Sequence, residues 1–110
     1  MIKILLFLLS ISIFANSYHI EDLSESLKMS PKLVAQLKKN KIKTTDDFLL
    51  INKSSKQRAI NSKKYNLDIR KLGEIISMFD LLRIKGVGPT AAKLLIKADV
   101  KSIRIFKQLI

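Results

Sequence analysis

The residues best suited to chemistry in this chain form one cluster, Lys85-Gly86-Val87-Gly88-Pro89-Thr90, with Arg83 before it and Lys93 after it. Gly86 can take the positive φ that ends a helix. Val87 can plug the space between two helices, and Gly88 can let the backbone bend closely into the helix that Pro89 opens. Ala92, the small residue that follows in the first turns of that helix, permits close helix approach. Backbone N–H groups left open at a helix N-terminus attract phosphate, and Lys85, Lys93 and Arg83 stand near enough to add charge. This is the chemistry of anion recognition, with nothing in it that makes or breaks bonds. The chain has no Cys, and its only His is His19, so disulfide frameworks and Cys-based zinc sites are excluded and Ser/His or Cys/His catalysis nearly so. We expect no enzymatic activity, no cofactor and no metal centre.

Around this cluster stand 21 Lys and Arg against 9 Asp and Glu in 110 residues, a net charge of +12. A surface this basic seeks polyanions. Residues 1–17 have the layout of an export signal: Lys3, an unbroken apolar run from Ile4 to Phe14 save for two serines, then Ala15-Asn16-Ser17. The run is short of the roughly 20 residues that span a bilayer. Cleavage after Ser17 would leave one small domain, 18–110, with no stable membrane span, and the expected location is periplasmic or secreted.

Helical spacing of apolar residues recurs through that domain, and no alternation long enough for a sheet occurs, so the fold class is all-α. Ser30-Pro31 starts a helix with Leu33, Val34 and Leu37 on one face. Thr45, followed by Asp46-Asp47, starts a second, with its acids at the positive end of the helix dipole. Ser54 or Ser55 caps a polar segment through Lys63. Asp68 caps a longer helix in which Ile69, Leu72, Ile75, Ile76, Phe79 and Leu82 follow the spacing of a buried stripe. Pro89 opens a helix carrying Ala91, Ala92, Leu94 and Leu95, and Ser102 caps the last, with Ile105, Phe106 and Leu109.

The chain also resembles itself. The one offset that places Leu23 on Leu81 also places Pro31 on Pro89, Leu37 on Leu95, Ile42 on Val100, Lys43 on Lys101 and Phe48 on Phe106. The expected organisation is two similar units, about 20–51 and 68–110, joined by a helical linker. Lys38, Lys39, Lys41 and Lys43 follow the first unit's helix, and Lys97 and Lys101 match Lys39 and Lys43, so each unit carries positive charge. A solvated face explains the same lysines, of which the chain has far more than its four Arg. Phe48 and Phe106 sit beside aliphatic neighbours and are read as core, while His19 is placed in a disordered terminus.

The stretch Leu82-Arg83-Ile84-Lys85-Gly86-Val87-Gly88-Pro89-Thr90-Ala91-Ala92 resembles the helix-hairpin-helix motif, a helix end, Gly-hydrophobic-Gly and a second helix. From about Ile20 to Ile110 the chain resembles an uncharacterised bacterial domain-of-unknown-function family built from tandem units of this kind. The resemblance is carried by 33–49, by the block around 55–69, and by 80–88. It implies a compact all-helical fold and suggests nucleic-acid binding. The first unit departs from the pattern: Lys28-Met29-Ser30-Pro31 replaces Gly-hydrophobic-Gly-Pro, with the Ser30 cap and the Lys28 charge as partial substitutes. The architecture and export are also similar to those of DNA-uptake proteins that use tandem hairpins outside the cytoplasm.

The expected function is sequence-independent binding of double-stranded DNA, or of another polyanion, by Lys85, Gly86, Val87, Gly88, Thr90 and Lys93, with Lys28 and Ser30 from the first unit. The alternative is a structural or envelope scaffold with a protein partner, in which the hairpins only pack helices. The missing glycines of the first turn and the scarcity of Arg speak for it.

Overall fold

The computed structural model describes residues 17–109. The expected export signal therefore lies outside the described residues, apart from Ser17. Those residues form seven helices: α1 Ile20–Leu23, α2 Pro31–Lys39, α3 Thr45–Leu50, α4 Ser55–Lys64, α5 Ile69–Leu82, α6 Pro89–Lys97 and α7 Ile103–Leu109. Among the described residues no strand occurs, and the fold is all-α. None of these helices is long and apolar enough to cross a membrane.

Most of these helices are too short to stand alone in water, so each depends on packing. The surface they share is α5, which contacts α3, α4 and α6. Leu72, Ile75, Met78, Phe79, Leu81 and Leu82 are buried along it. Phe48 of α3 meets Phe79 edge to face at 5.2 Å, which joins the first half of the chain to the centre of the core. The stripe expected along α5 is corrected at its start. Ile69 remains 54% exposed because it precedes the region that the other helices cover, while Met78 and Leu81 are buried in its place.

Short helices need abrupt endings, and this chain uses one device four times. Lys28, Lys41, Asn66 and Asp99 adopt left-handed backbone with φ of 54°, 64°, 50° and 64°. The next residue's N–H then returns to a carbonyl five positions earlier: Met29 to Ser24 at 2.8 Å, Ile42 to Leu37 at 2.9 Å, Leu67 to Ser62 at 2.8 Å and Val100 to Leu95 at 2.8 Å. That is the Schellman arrangement, with an apolar residue following the left-handed one. Met29, Ile42 and Val100 are buried, so each of these turns both ends a helix and feeds the core.

The internal repeat extends to backbone states. Lys41 and its counterpart Asp99 have the same φ, Lys28 and its counterpart Gly86 are both left-handed at 54° and 89°, and Pro31 and Pro89 open helices of equal length. Thr44 stands at the N-cap of α3, and Ser102, its counterpart before α7, accepts from the N–H of Ile105. Helix α3 starts at Thr45 as expected, with Thr44 as its N-cap. Thr44 accepts from the N–H of Asp47, whose carboxylate accepts in return from the N–H of Thr44, closing a capping box. Thr45 is instead fully buried, its hydroxyl taking the N–H of Tyr18 at 3.2 Å.

That contact belongs to a clasp which corrects the disordered start expected around His19. Ile20 donates to the Lys43 carbonyl and Thr45 to the Tyr18 carbonyl, both at 2.9 Å, pairing 18–20 with 43–45. The His19 side chain is exposed, but its backbone is held.

The segment between the two halves is held by polar contacts, since α4 buries no residue of its own. Ser54 and Gln57 form its capping box, which decides between the two candidate serines. Asn52, 3% exposed, donates to the Phe48 carbonyl at 2.9 Å and accepts from Asn61 at 3.0 Å. Asn61 also donates to the Ile51 carbonyl at 2.8 Å, and Arg58 to the Asn52 carbonyl at 3.1 Å. Tyr65, which ends α4, is buried in the core.

Two outcomes are expected. Lys41→Gly removes a Cβ from left-handed backbone and should raise unfolding free energy by about 0.5–1 kcal/mol, while Gly86→Ala should lower it by about 1 kcal/mol; urea denaturation followed by circular dichroism measures both. The second concerns Asp47, whose carboxyl is held below the usual carboxylate range by hydrogen bonds from the N–H groups of Lys43 and Thr44. A depressed carboxyl stabilises above its unfolded pKa, and the contribution disappears as pH falls through the folded one. Asp47→Asn should therefore be less stable than the parent at neutral pH, with the gap in urea midpoints closing below the usual carboxylate range.

Candidate functional site

The turn between α5 and α6 is built as its residue types require. Asp80 turns its carboxylate to the N–H of Ile103 at 2.8 Å and to Arg83 at 3.7 Å, fixing the end of α5. Ile84 is buried and its carbonyl takes the N–H of Val87 at 3.0 Å, closing the turn around Gly86. The left-handed φ of 89° at Gly86 is the conformation that favours glycine. Val87 is buried, as a plug between helices should be, so only its backbone can face a ligand. Ala92 is fully buried on α6, which packs on α5.

Gly88 departs from expectation. Its φ is −90°, open to any residue, and a Cβ added there would meet nothing within 4 Å. Close approach within the chain therefore does not require this glycine. As N-cap of α6 it supplies no side-chain oxygen to the first-turn N–H groups. At the equivalent position before α2, Ser30 accepts from the N–H of Leu33 at 3.1 Å. Both turns place a left-handed residue two positions before the N-cap, but the Met29 N–H returns to the Ser24 carbonyl and the Val87 N–H to the Ile84 carbonyl, and their helix starts are satisfied differently. The first is capped by its own side chain, and the second is not.

Lys28, Lys85, Gly86, Thr90 and Lys93 are all exposed. Lys93 is already engaged across the fold, its Nζ donating to the Ser26 carbonyl at 2.7 Å. Lys71 of α5 does the same to the Leu27 carbonyl at 3.1 Å. These two ammonium groups draw the 26–28 turn against α5 and α6, and a groove of about 740 Å³ lies between them. Lys28, Thr90 and Lys93 line it, as do Lys71 and Lys97, with Glu74 the acid among them. Its apolar lining includes Leu27, Ile75, Met78 and Leu94. The site residues read from sequence thus separate into two places. Lys28, Thr90 and Lys93 meet at the groove, whereas Lys85, Gly86, Val87, Gly88 and Ser30 do not line it.

Lys71 and the groove role of Lys97 had no sequence signal, because both depend on contacts between segments far apart in the chain. Part of the remaining charge is matched locally. Lys38 pairs with Glu21 at 3.1 Å and Lys101 with Asp99 at 3.8 Å, all on the exposed surface where such pairs add little. Among the described residues no group of three or more His, Cys, Asp or Glu is placed to hold a metal ion.

No curated protein and no solved structure matches the chain. A family model does match, over residues 27–109, which takes in the 26–28 turn in part, both proline-opened helices, the central helix and the groove between them. The chain belongs to DUF4332, a family described as a domain of unknown function.

Proposed function

We propose that this protein binds double-stranded DNA without regard to sequence, through a helix-hairpin-helix contact at the α5–α6 turn, and that it has no catalytic activity of its own. One observation carries the proposal. Gly88 stands where backbone geometry accepts any residue and where the equivalent Ser30 caps its helix, yet here the cap is missing. A phosphate oxygen is the ligand that such a helix start accepts, and the absence of a side chain lets the DNA backbone come close. Lys85 next to the turn and Thr90 in the first turn of α6 add a charge and a hydroxyl on the exposed side. The net charge of +12 supplies the long-range attraction. Ser30 is committed to its own helix, so the first turn contributes charge through Lys28 alone.

Sequence independence follows from the contacts proposed, which are made to phosphates. Export is part of the proposal on the strength of Lys3, the apolar run and Ala15-Asn16-Ser17. The DNA would then be met outside the cytoplasm.

The experiment is a salt titration of the purified protein against two unrelated fluorescent duplexes, with Gly88→Ser and Gly88→Glu alongside. The parent should bind both duplexes alike, with a log–log salt slope of about −0.9 per phosphate neutralised. Gly88→Ser restores a cap and should keep or raise stability by about a few tenths of a kcal/mol while weakening DNA binding several-fold. Gly88→Glu should nearly abolish binding with helicity intact. Binding that ignores both changes would assign the hairpin to packing alone, and absence of binding at moderate salt would leave the scaffold role.

A further inference from the structure

The groove has a second character that phosphate recognition does not use. From α5 it takes Lys71, Glu74, Ile75 and Met78, and from α6 Thr90, Lys93, Leu94 and Lys97, with Ile96 beside them. Each set is spaced i, i+3, i+4, i+7, so each is one continuous helix face about 10 Å long. Two such faces side by side, with the 26–28 turn bonded to both through Lys71 and Lys93, form a trough about two helical turns in length. Leu94 stands in it 62% exposed, although α6 packs its opposite side into the core.

Chemistry selects the occupant. Four lysines against Glu74 surround an apolar floor, so the complementary surface is acidic at its edges and apolar at its centre. The ammonium groups of Lys71 and Lys93 are held by the carbonyls of Leu27 and Ser26, and each keeps two further N–H donors. Cations fixed beforehand lose little side-chain freedom on binding. Duplex DNA has nothing to set against Leu94 and Ile96, and among the described residues no aromatic ring lines the groove for an unpaired base to stack on. A flat membrane surface reaches only Leu94 of these, since the rest of the apolar lining is recessed between two helices. A ridge fits a trough. We infer that the groove between α5 and α6 docks an acidic amphipathic helix of a partner protein, its apolar stripe on the exposed Leu94 and half-buried Ile96 above the buried Ile75 and Met78, and its carboxylates toward Lys71, Lys93 and Lys97. This inference does not rest on DNA binding, since Leu94 and Lys97 lie outside the hairpin contact.

The test uses a fluorescein-labelled amphipathic peptide of about four helical turns, with Leu at i, i+3, i+4, i+7 and i+11 and Glu elsewhere on its faces, and a scrambled peptide of the same composition. Anisotropy with the purified protein should give one-to-one binding, with the scrambled peptide about ten-fold weaker. Leu94→Gln and Lys97→Gln, both exposed and safe for folding, should each weaken the ordered peptide by about ten-fold. Leu94→Gln should leave the DNA titration unchanged. Equal binding of the two peptides, or indifference to Leu94→Gln, would overturn the inference in favour of unspecific charge. Leu94-dependent binding to anionic phospholipid vesicles without peptide binding would overturn it in favour of a membrane surface. Failure of DNA binding with peptide binding intact would remove the proposed function and leave this inference standing.

Discussion

Burial of α5 is the constraint on which the other elements depend. Phe79, Leu81 and Leu82 are removed from water entirely, and Leu72 and Ile75 almost so. A helix apolar on that much of its circumference has to be covered from several directions. The chain has only short helices with which to do so, and none of them is stable without the contact. It must therefore reverse often and sharply. That requirement explains four left-handed residues that are not glycine, each of which costs backbone energy and returns it by placing an apolar neighbour in or against the core. It also explains why helix starts are satisfied so thoroughly, by Ser30, by the capping boxes at Thr44 and Ser54, by Asp68 and by the Asp80 carboxylate reaching over to α7.

The same packing decides where the charge goes. With its apolar residues drawn onto α5, the chain leaves most of its lysines on the exposed outer faces of the helices. Lys71 and Lys93 differ because the carbonyls of the 26–28 turn hold them, from positions far along the sequence. Those two bonds do more than neutralise carbonyls. They bring Lys28 to the same groove as Thr90, so that the first turn contributes to a surface otherwise made by α5 and α6.

What could be read from the sequence was local. Ser30-Pro31, Asp68, Pro89 and the positive φ of Gly86 are signals whose partners stand close by in the chain, and each is found where its chemistry places it. Misplacements arose where a distant segment competes for the same group. His19 looked like a loose end because nothing near it in sequence reveals the pairing with 43–45. Ile69 fits the period of a buried stripe, yet no other helix extends far enough to cover it. The groove was invisible for the same reason, since its lysines converge only when α5, α6 and the 26–28 turn are assembled.

The two turns related by the internal repeat show how backbone and side chain carry different obligations. At Lys28 and Gly86 the residue types could hardly differ more, yet both are left-handed, because the path of the chain leaves no other choice there. At Ser30 and Gly88 the backbone is extended and imposes no residue type. A difference that geometry does not force has to be explained by what the side chain does. Ser30 closes its own helix start, which makes the first turn self-sufficient. Gly88 gives its helix start no side-chain cap, while Lys93 from that same helix reaches back to hold the first turn in place. One turn thereby caps its own helix, and the other opens its helix without a side-chain cap and is tied to the first through Lys93.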